Sequence, residues 1–319
     1  MEDKCKRLDL GNSEPIDPGL IPQVSALVSG RVREFVPAAS LTTFAIGGAL
    51  RALVSVESEA ELQSVRALLG REGQPTEVLG FGSNLLVLDG GVSKWVLKLG
   101  GDLRVVEHLG NGRYRLGGAA SLMALARRIS GEGFSGLEFA AGIPASIGGA
   151  VFMNAGAHGA ELGSRIVSIR GVLPNGEFHE WHRDELPWSY RRSGLPYGAV
   201  VSAVEIQLVS GDRDVITKTL SDNLAHRKRT QPLSLPSAGS VFKNPSLELP
   251  AGRVLEIAGL KGAKSGGAQV SELHANWIVN PEKRASAADV LDLIRECTER
   301  AASHSGIRLE PEVRIWGEL

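Results

Sequence analysis

The chain has 319 residues, 43% of them hydrophobic and 22% charged, with a formal net charge of -1; this length suggests two domains, each with its own core. Near-neutral charge gives no electrostatic case for nucleic acid or an acidic membrane surface as the main partner. Two cysteines, Cys5 and Cys297, form neither a metal-ligand spacing nor a disulfide framework, and read as a free tail thiol and a core-facing helical thiol.

The first residues are charged and no apolar run follows them, so a secretory signal is not expected. The longest apolar stretch, 140–153, is broken by Pro144 and several glycines and is too short to span a bilayer. A soluble, cytoplasmic protein is the expectation. Residues 1–30, with Pro15, Pro18 and Pro22, read as a tail or loose arm. Ser58-Glu-Ala-Glu61 is a capping box, and Leu62, Val65, Leu68 and Leu69 behind it predict a helix. Strands are predicted at 77–80, 85–88 and 95–99. Two hairpins follow, 103–108 with 114–116 about Asn111-Gly112, and 167–172 with 177–181 about Asn175-Gly176, each expected to turn in type I′. A helix is predicted from Ser121 to Ser130 and a strand from Val200 to Leu208. After Ser210-Gly211 a helix from Asp212 to about Arg229 is expected to open a second domain. The last helix starts at Ser286, and a strand, 312–316, ends the chain. The class is α+β, with boundaries expected at 31–210 (halves 31–100 and 101–210) and 211–319.

Glycine is in excess, with 39 residues, roughly 12% against a usual ~7%. Gly80-Phe-Gly82-Ser83-Asn84 lies between two predicted strands. A Rossmann fingerprint needs a third glycine and a following helix, and neither is present. What remains is either an ordinary hairpin turn or a loop whose N–H groups, Ser83 hydroxyl and Asn84 amide cradle a diphosphate. The stretch Gly142 to Gly159 packs small residues around Gly148-Gly149, which suits a flat ring pressed on backbone better than a helix or strand. Gly262-Ala-Lys264-Ser265 is not a P-loop, because Lys does not directly follow the glycine.

Six segments, in this order, resemble the UDP-N-acetylenolpyruvoylglucosamine reductases, also called UDP-N-acetylmuramate dehydrogenases. They are Thr42–Gly48, Gly80–Asn84, Gly142–Gly159, Ser189-Tyr-Arg-Arg-Ser193, Pro236–Pro245 and Leu309-Glu-Pro-Glu-Val-Arg314. The resemblance implies a two-subdomain FAD-binding fold of the vanillyl-alcohol-oxidase (PCMH) type, followed by a smaller α+β substrate-binding domain. It implies non-covalent FAD held by Gly80, Gly82, Ser83, Asn84 and Leu85, with Gly142, Ile143, Pro144, Ile147, Gly148, Gly149 and Asn154 about the ring. NADPH would reduce the flavin, and hydride would then pass to the enolpyruvyl methylene carbon in peptidoglycan synthesis. The catalytic roles would fall to Arg191 as carboxylate clamp, Glu312 as orienting or proton-carrying partner, and Ser240 as proton donor. Tyr190, Arg227, Lys243, Asn244 and His274 would contact the substrate, a small nucleotide sugar.

The chain departs from the family at Ala45, Ala145 and His158. It also lacks the insertion after the Val200 strand that carries a tyrosine clamp, and so resembles the shorter branch. Two rival readings share this pattern. One is a flavin oxidase on the same scaffold; the absence of a histidine in Gly80–Asn84 gives it no covalent tether. The other is a non-catalytic nucleotide-sugar binder, against which Arg191, Ser240 and Glu312 speak.

Overall fold

The computed structural model describes residues 16–246 and 248–318; Cys5 and Pro15 lie outside them. Residues 16–28, expected in the loose arm, are folded. A 3-10 turn, Pro18–Leu20, capped by Asp17, leads into α1 (Ile21–Leu27). Pro18 and Pro22 each occupy a first-turn position, where a missing N–H costs nothing. Ile16, Leu20, Val24 and Val28 recur every four residues and are buried. They pack on Leu62, Val65 and Leu69 of α2 (Glu59–Arg71).

This helical layer covers a sheet of order Val32–Pro37, Ala49–Val56, Val92–Leu99, Thr76–Val78, antiparallel at the first pair and parallel thereafter. Ala49–Val56 carries no period-two pattern because five of its eight residues are buried, on both faces.

A second, five-stranded antiparallel sheet runs Phe178–His182, Ile166–Val172, Val200–Gln207, Arg113–Gly117, Val106–Gly110. Asn111 and Gly112 both have positive φ, as a type I′ turn requires. The second hairpin differs from expectation. Pro174 fixes its own φ, Gly176 N–H bonds Leu173 O at 3.0 Å, and only Gly176 has positive φ. That is the pattern of a type I turn followed by a left-handed glycine.

Three helices pack on this sheet: α3 (Leu122–Gly131), α4 (Ile147–Phe152) and α5 (Arg213–Thr230). α4 lies inside the glycine stretch that read as neither helix nor strand. Its glycines carry low helix propensity, and Ser146 stabilises it by accepting the Gly149 N–H. α5, expected to open the second domain, buries Leu220 in the core of this sheet instead.

Beyond α5, strands Ser237–Ser240, Trp277–Val279, Ala268–Val270 and Lys264–Ser265 form an antiparallel sheet under α6 (Ala251–Ile257) and α7 (Ala287–Ser305). Ser286 and Asp289 form a capping box at α7, and Cys297 is buried on its inner face.

Two links fasten this lobe to the first. Strand Leu85–Val87 pairs in parallel with Arg314–Trp316. Leu86 and Leu88 face the C-terminal core while Leu85 and Val87 face the N-terminal one, which explains an unbroken apolar run. Phe44 and Ile46 also enter the C-terminal core. Among the described residues, no helix is long and apolar enough to cross a membrane.

Candidate active site

A cavity of about 1040 Å³ opens where the three sheets meet. One wall is the Gly80–Asn84 loop. A Cβ at Gly80 would lie 2.6 Å from Ser146 Oγ, and one at Gly82, whose φ is +64°, would lie 2.5 Å from Leu41 O. Thr43 fixes the loop from behind: its N–H donates to Gly82 O at 3.2 Å and its hydroxyl to Ser237 O at 2.7 Å. This is what the Thr42–Gly48 segment does locally. The Asn84 amide, expected on a diphosphate, instead donates to the backbone oxygen of Glu312 at 3.2 Å. Gly148 and Gly149 form the facing wall, and a Cβ at Gly148 would lie 3.2 Å from Gly118 O.

Bare backbone on two sides, with N–H groups on a glycine loop, matches the chemistry of a flat ring carrying a diphosphate tail. The residues present therefore fit FAD. Leu85, Ile143, Pro144 and Ser83 also line this slot. Ile147 does not; it is fully buried in the core. Gly142 is also off the wall, and its missing side chain makes room for Arg227 Cδ, 2.9 Å from where a Cβ would stand.

Arg191 and Glu312 meet inside the cavity, with Arg191 Nε donating to Glu312 Oε1 at 2.6 Å. Both side chains are largely buried, 17% and 12% exposed. Burial raises the Glu312 pKa, and the opposing pull of Arg191 and Lys243 does not cancel it. Arg191 has a left-handed φ of +58°, in a turn closed by reciprocal Ser189 and Arg192 backbone bonds. Asn154, expected at the flavin, underlies that turn. It is buried and off the cavity wall, donating to Ser189 O (3.1 Å) and Glu161 Oε2 (2.8 Å) and accepting from Gly163 N–H (3.0 Å).

Ser240 ends its strand on the cavity wall. The next residue's carbonyl, Val241 O, accepts the Glu312 N–H at 2.7 Å. Serine and glutamate are therefore held on adjoining segments.

The expected substrate contacts divide. Arg227, Asn244 and His274 line the cavity; Tyr190 and Lys243 do not. Lys243 pairs with Glu310 at 2.5 Å, and the Tyr190 ring supports the Arg191 guanidinium at 4.8 Å. Burial lowers the His274 pKa, and its Nδ1 accepts the Asn276 N–H at 3.2 Å. The neutral ring therefore carries its proton on Nε2. Three further cavity residues, Arg253, Arg314 and Glu256, escaped the sequence reading. Arg314 stood in a quoted segment, and its guanidinium lies over the Phe152 ring at 5.5 Å; Arg253 and Glu256, on α6, gave no signal.

Comparison with known proteins matches residues 50–181 to an FAD binding domain and residues 231–316 to the C-terminal domain of UDP-N-acetylenolpyruvoylglucosamine reductase. The second match begins just after α5, in keeping with that helix's packing. A Bacillus velezensis protein named UDP-N-acetylenolpyruvoylglucosamine reductase is 42% identical over 291 residues, covering 90% of this chain and 95% of its own. A Myxococcus xanthus protein of the same name is 42% identical over 308 residues, covering 95% and 98%. The crystal structure of UDP-N-acetylenolpyruvylglucosamine reductase from Thermus caldophilus superposes with a TM-score of 0.79 at 36% identity, covering 90% of this chain and 99% of that one.

Proposed function

The chain belongs to the UDP-N-acetylenolpyruvoylglucosamine reductase family, and on that premise we propose that it reduces UDP-N-acetylenolpyruvoylglucosamine to UDP-N-acetylmuramate for peptidoglycan synthesis, as a cytoplasmic enzyme using NADPH. The observation that carries this reading is the buried Arg191–Glu312 pair, on a segment adjoining Ser240, in the cavity that also holds the glycine-walled slot.

FAD, held between the Gly80–Leu85 loop and the Gly148–Gly149 wall, would supply the hydride chemistry for the methylene carbon of the enolpyruvyl group, with NADPH as its source. The chain must then handle negative charge on the carbon beside the substrate carboxylate. Arg191 keeps its charge at any working pH and offers a planar fork to that carboxylate. Glu312 holds Arg191 in place; with its pKa raised by burial, it also serves as a proton reservoir. Ser240 delivers the proton to the carbon. A hydroxyl is a weak acid, so this requires a strongly basic carbon and reprotonation through Glu312 or solvent. One hydride and one proton then complete the reduction. Arg227, Asn244 and His274 offer the donors that a nucleotide diphosphate and sugar need.

The test is direct. Purified protein loaded with FAD should oxidise NADPH in step with loss of the enolpyruvyl sugar, and the product should be two hydrogens heavier. NADPH oxidation indifferent to the sugar would defeat the proposal.

A further inference from the structure

Two histidines on the cavity rim have no role in the chemistry above. His158 stands at the turn between strands Gly156–Ala157 and Ala160–Glu161, and His226 lies in the last turns of α5 beside Arg227. The imidazoles meet edge to face, with centroids 5.7 Å apart and planes at 75°, and all three residues line the cavity.

The acids on the elements packed around them are engaged elsewhere. Glu161 accepts from Asn154 at 2.8 Å, and Glu138 accepts from Ser135 Oγ at 2.6 Å and Gly136 N–H at 2.7 Å. Arg227 donates its Nε to neutral Gln231 at 2.9 Å, and among the described residues it pairs with no carboxylate. Asp222, one turn before His226 on α5, pairs with Lys218 at 2.6 Å, and the other charges nearby are basic: Arg165 against Gly136, and exposed Lys228 and Arg229 on α5. A concave group of three bases without an acid attracts a multiply charged anion. Burial, then His226 and Arg227, hold the His158 pKa below its ordinary value; an anion seated beside the ring on the cavity side opposes that shift by favouring the charged imidazole.

We propose that His158, His226 and Arg227 form a nucleotide-phosphate subsite whose grip strengthens as His158 takes up a proton. The inference rests on the reading above, that the cavity admits a nicotinamide dinucleotide and a nucleotide sugar. The phosphate is either the monoester that distinguishes NADPH from NADH or the diphosphate of the sugar nucleotide.

The experiment is calorimetric titration of the FAD-loaded protein with NADP+, NAD+ and UDP, near pH 6.5 and near pH 8.5. Over that range a phosphate monoester with a second pKa of about 6 changes little while a His158 imidazole held protonated by a bound anion loses its proton. The comparison variant is His158→Asn with His226→Gln. Asparagine tolerates the left-handed φ of +53° at position 158, and bound-flavin absorbance reports that the fold is intact. Near pH 6.5 the double variant should bind its phosphate ligand about tenfold more weakly than the parent, the lower end of a lost charge-assisted contact, and near pH 8.5 the two should converge. Loss for NADP+ but not NAD+ supports the monoester source; loss for UDP supports the sugar-nucleotide source. Unchanged binding of all three, or equal loss for NADP+ and NAD+ without loss for UDP, overturns the subsite. These are binding readouts, so they stand whether or not the enolpyruvyl sugar turns over.

Discussion

Replacing Asn154 by alanine separates a scaffold role from a cofactor role at one position. The side chain is 2% exposed and makes three hydrogen bonds, one of them to the Glu161 carboxylate. Truncation leaves Ser189 O and Gly163 N–H without that partner inside the protein. At about 1 kcal/mol for each neutral bond and 1.5–3 for the charged one, the loss is about 3–5 kcal/mol. The left-handed φ of +41° adds to it, because alanine tolerates that region less well than asparagine. In a chain of this size such a loss corresponds to a fall of about 4–8 °C in melting temperature. The assay is thermal unfolding of apo and FAD-loaded protein, with the FAD dissociation constant measured well below the transition. The turn that aims Arg191 should loosen, so turnover should also fall while flavin affinity stays close to the parent's. An unchanged melting temperature with weakened FAD binding would refute the reasoning and return Asn154 to the cofactor.

Ser240→Ala should let NADPH bleach the bound flavin yet give no product, which stopped-flow absorbance and product analysis together would detect; normal turnover would remove Ser240 from the mechanism. The raised Glu312 pKa means that the folded state binds more protons than the unfolded one above the ordinary carboxylate value. The contribution of Glu312 to stability should therefore fall as pH rises from that value through the raised one. Parallel denaturant titrations of the parent and Glu312→Gln should diverge across that window, and superimposable pH profiles would contradict it. Gly82→Ala sets a Cβ 2.5 Å from Leu41 O at a φ of +64°, costing about 2–5 kcal/mol from backbone strain plus overpacking. It should purify with much less flavin, as the ratio of visible to ultraviolet absorbance reports.

Legibility in the sequence followed the range of each interaction. The capped helices α2, α3, α5 and α7 were readable because their caps and apolar stripes lie within one segment. α1 carries an equally clear four-residue stripe, Ile16 to Val28, but its prolines read as a tail or loose arm in sequence, whereas in the fold they occupy first-turn positions. α4 was hidden because Gly148 is set by the backbone it approaches and Gly149 by the Ser146 hydroxyl beside it, not by helix propensity. The allegiance of α5 depends on burial of Leu220 against a sheet formed much earlier in the chain, which no local pattern records. At the site, the segments holding Arg191, Ser240 and Glu312 were recognisable, yet no spacing could say that the Asn84 amide bonds the backbone of Glu312, a partner 228 residues away. For the same reason Asn154, Ile147 and Gly142 could not be told apart from slot-lining neighbours: they share a segment but not an orientation.

The parallel pairing of Leu85–Val87 with Arg314–Trp316 also bears on the order of assembly. As the chain leaves the ribosome, the glycine loop emerges well before the strand beside it and the glutamate that faces Arg191, since Asn84 and Glu312 are 228 residues apart. Flavin capture in its final geometry therefore has to wait for that distant strand to emerge. A chain cut before Arg314 would keep every helix named above and still lose the seam between the glycine loop and the C-terminal lobe.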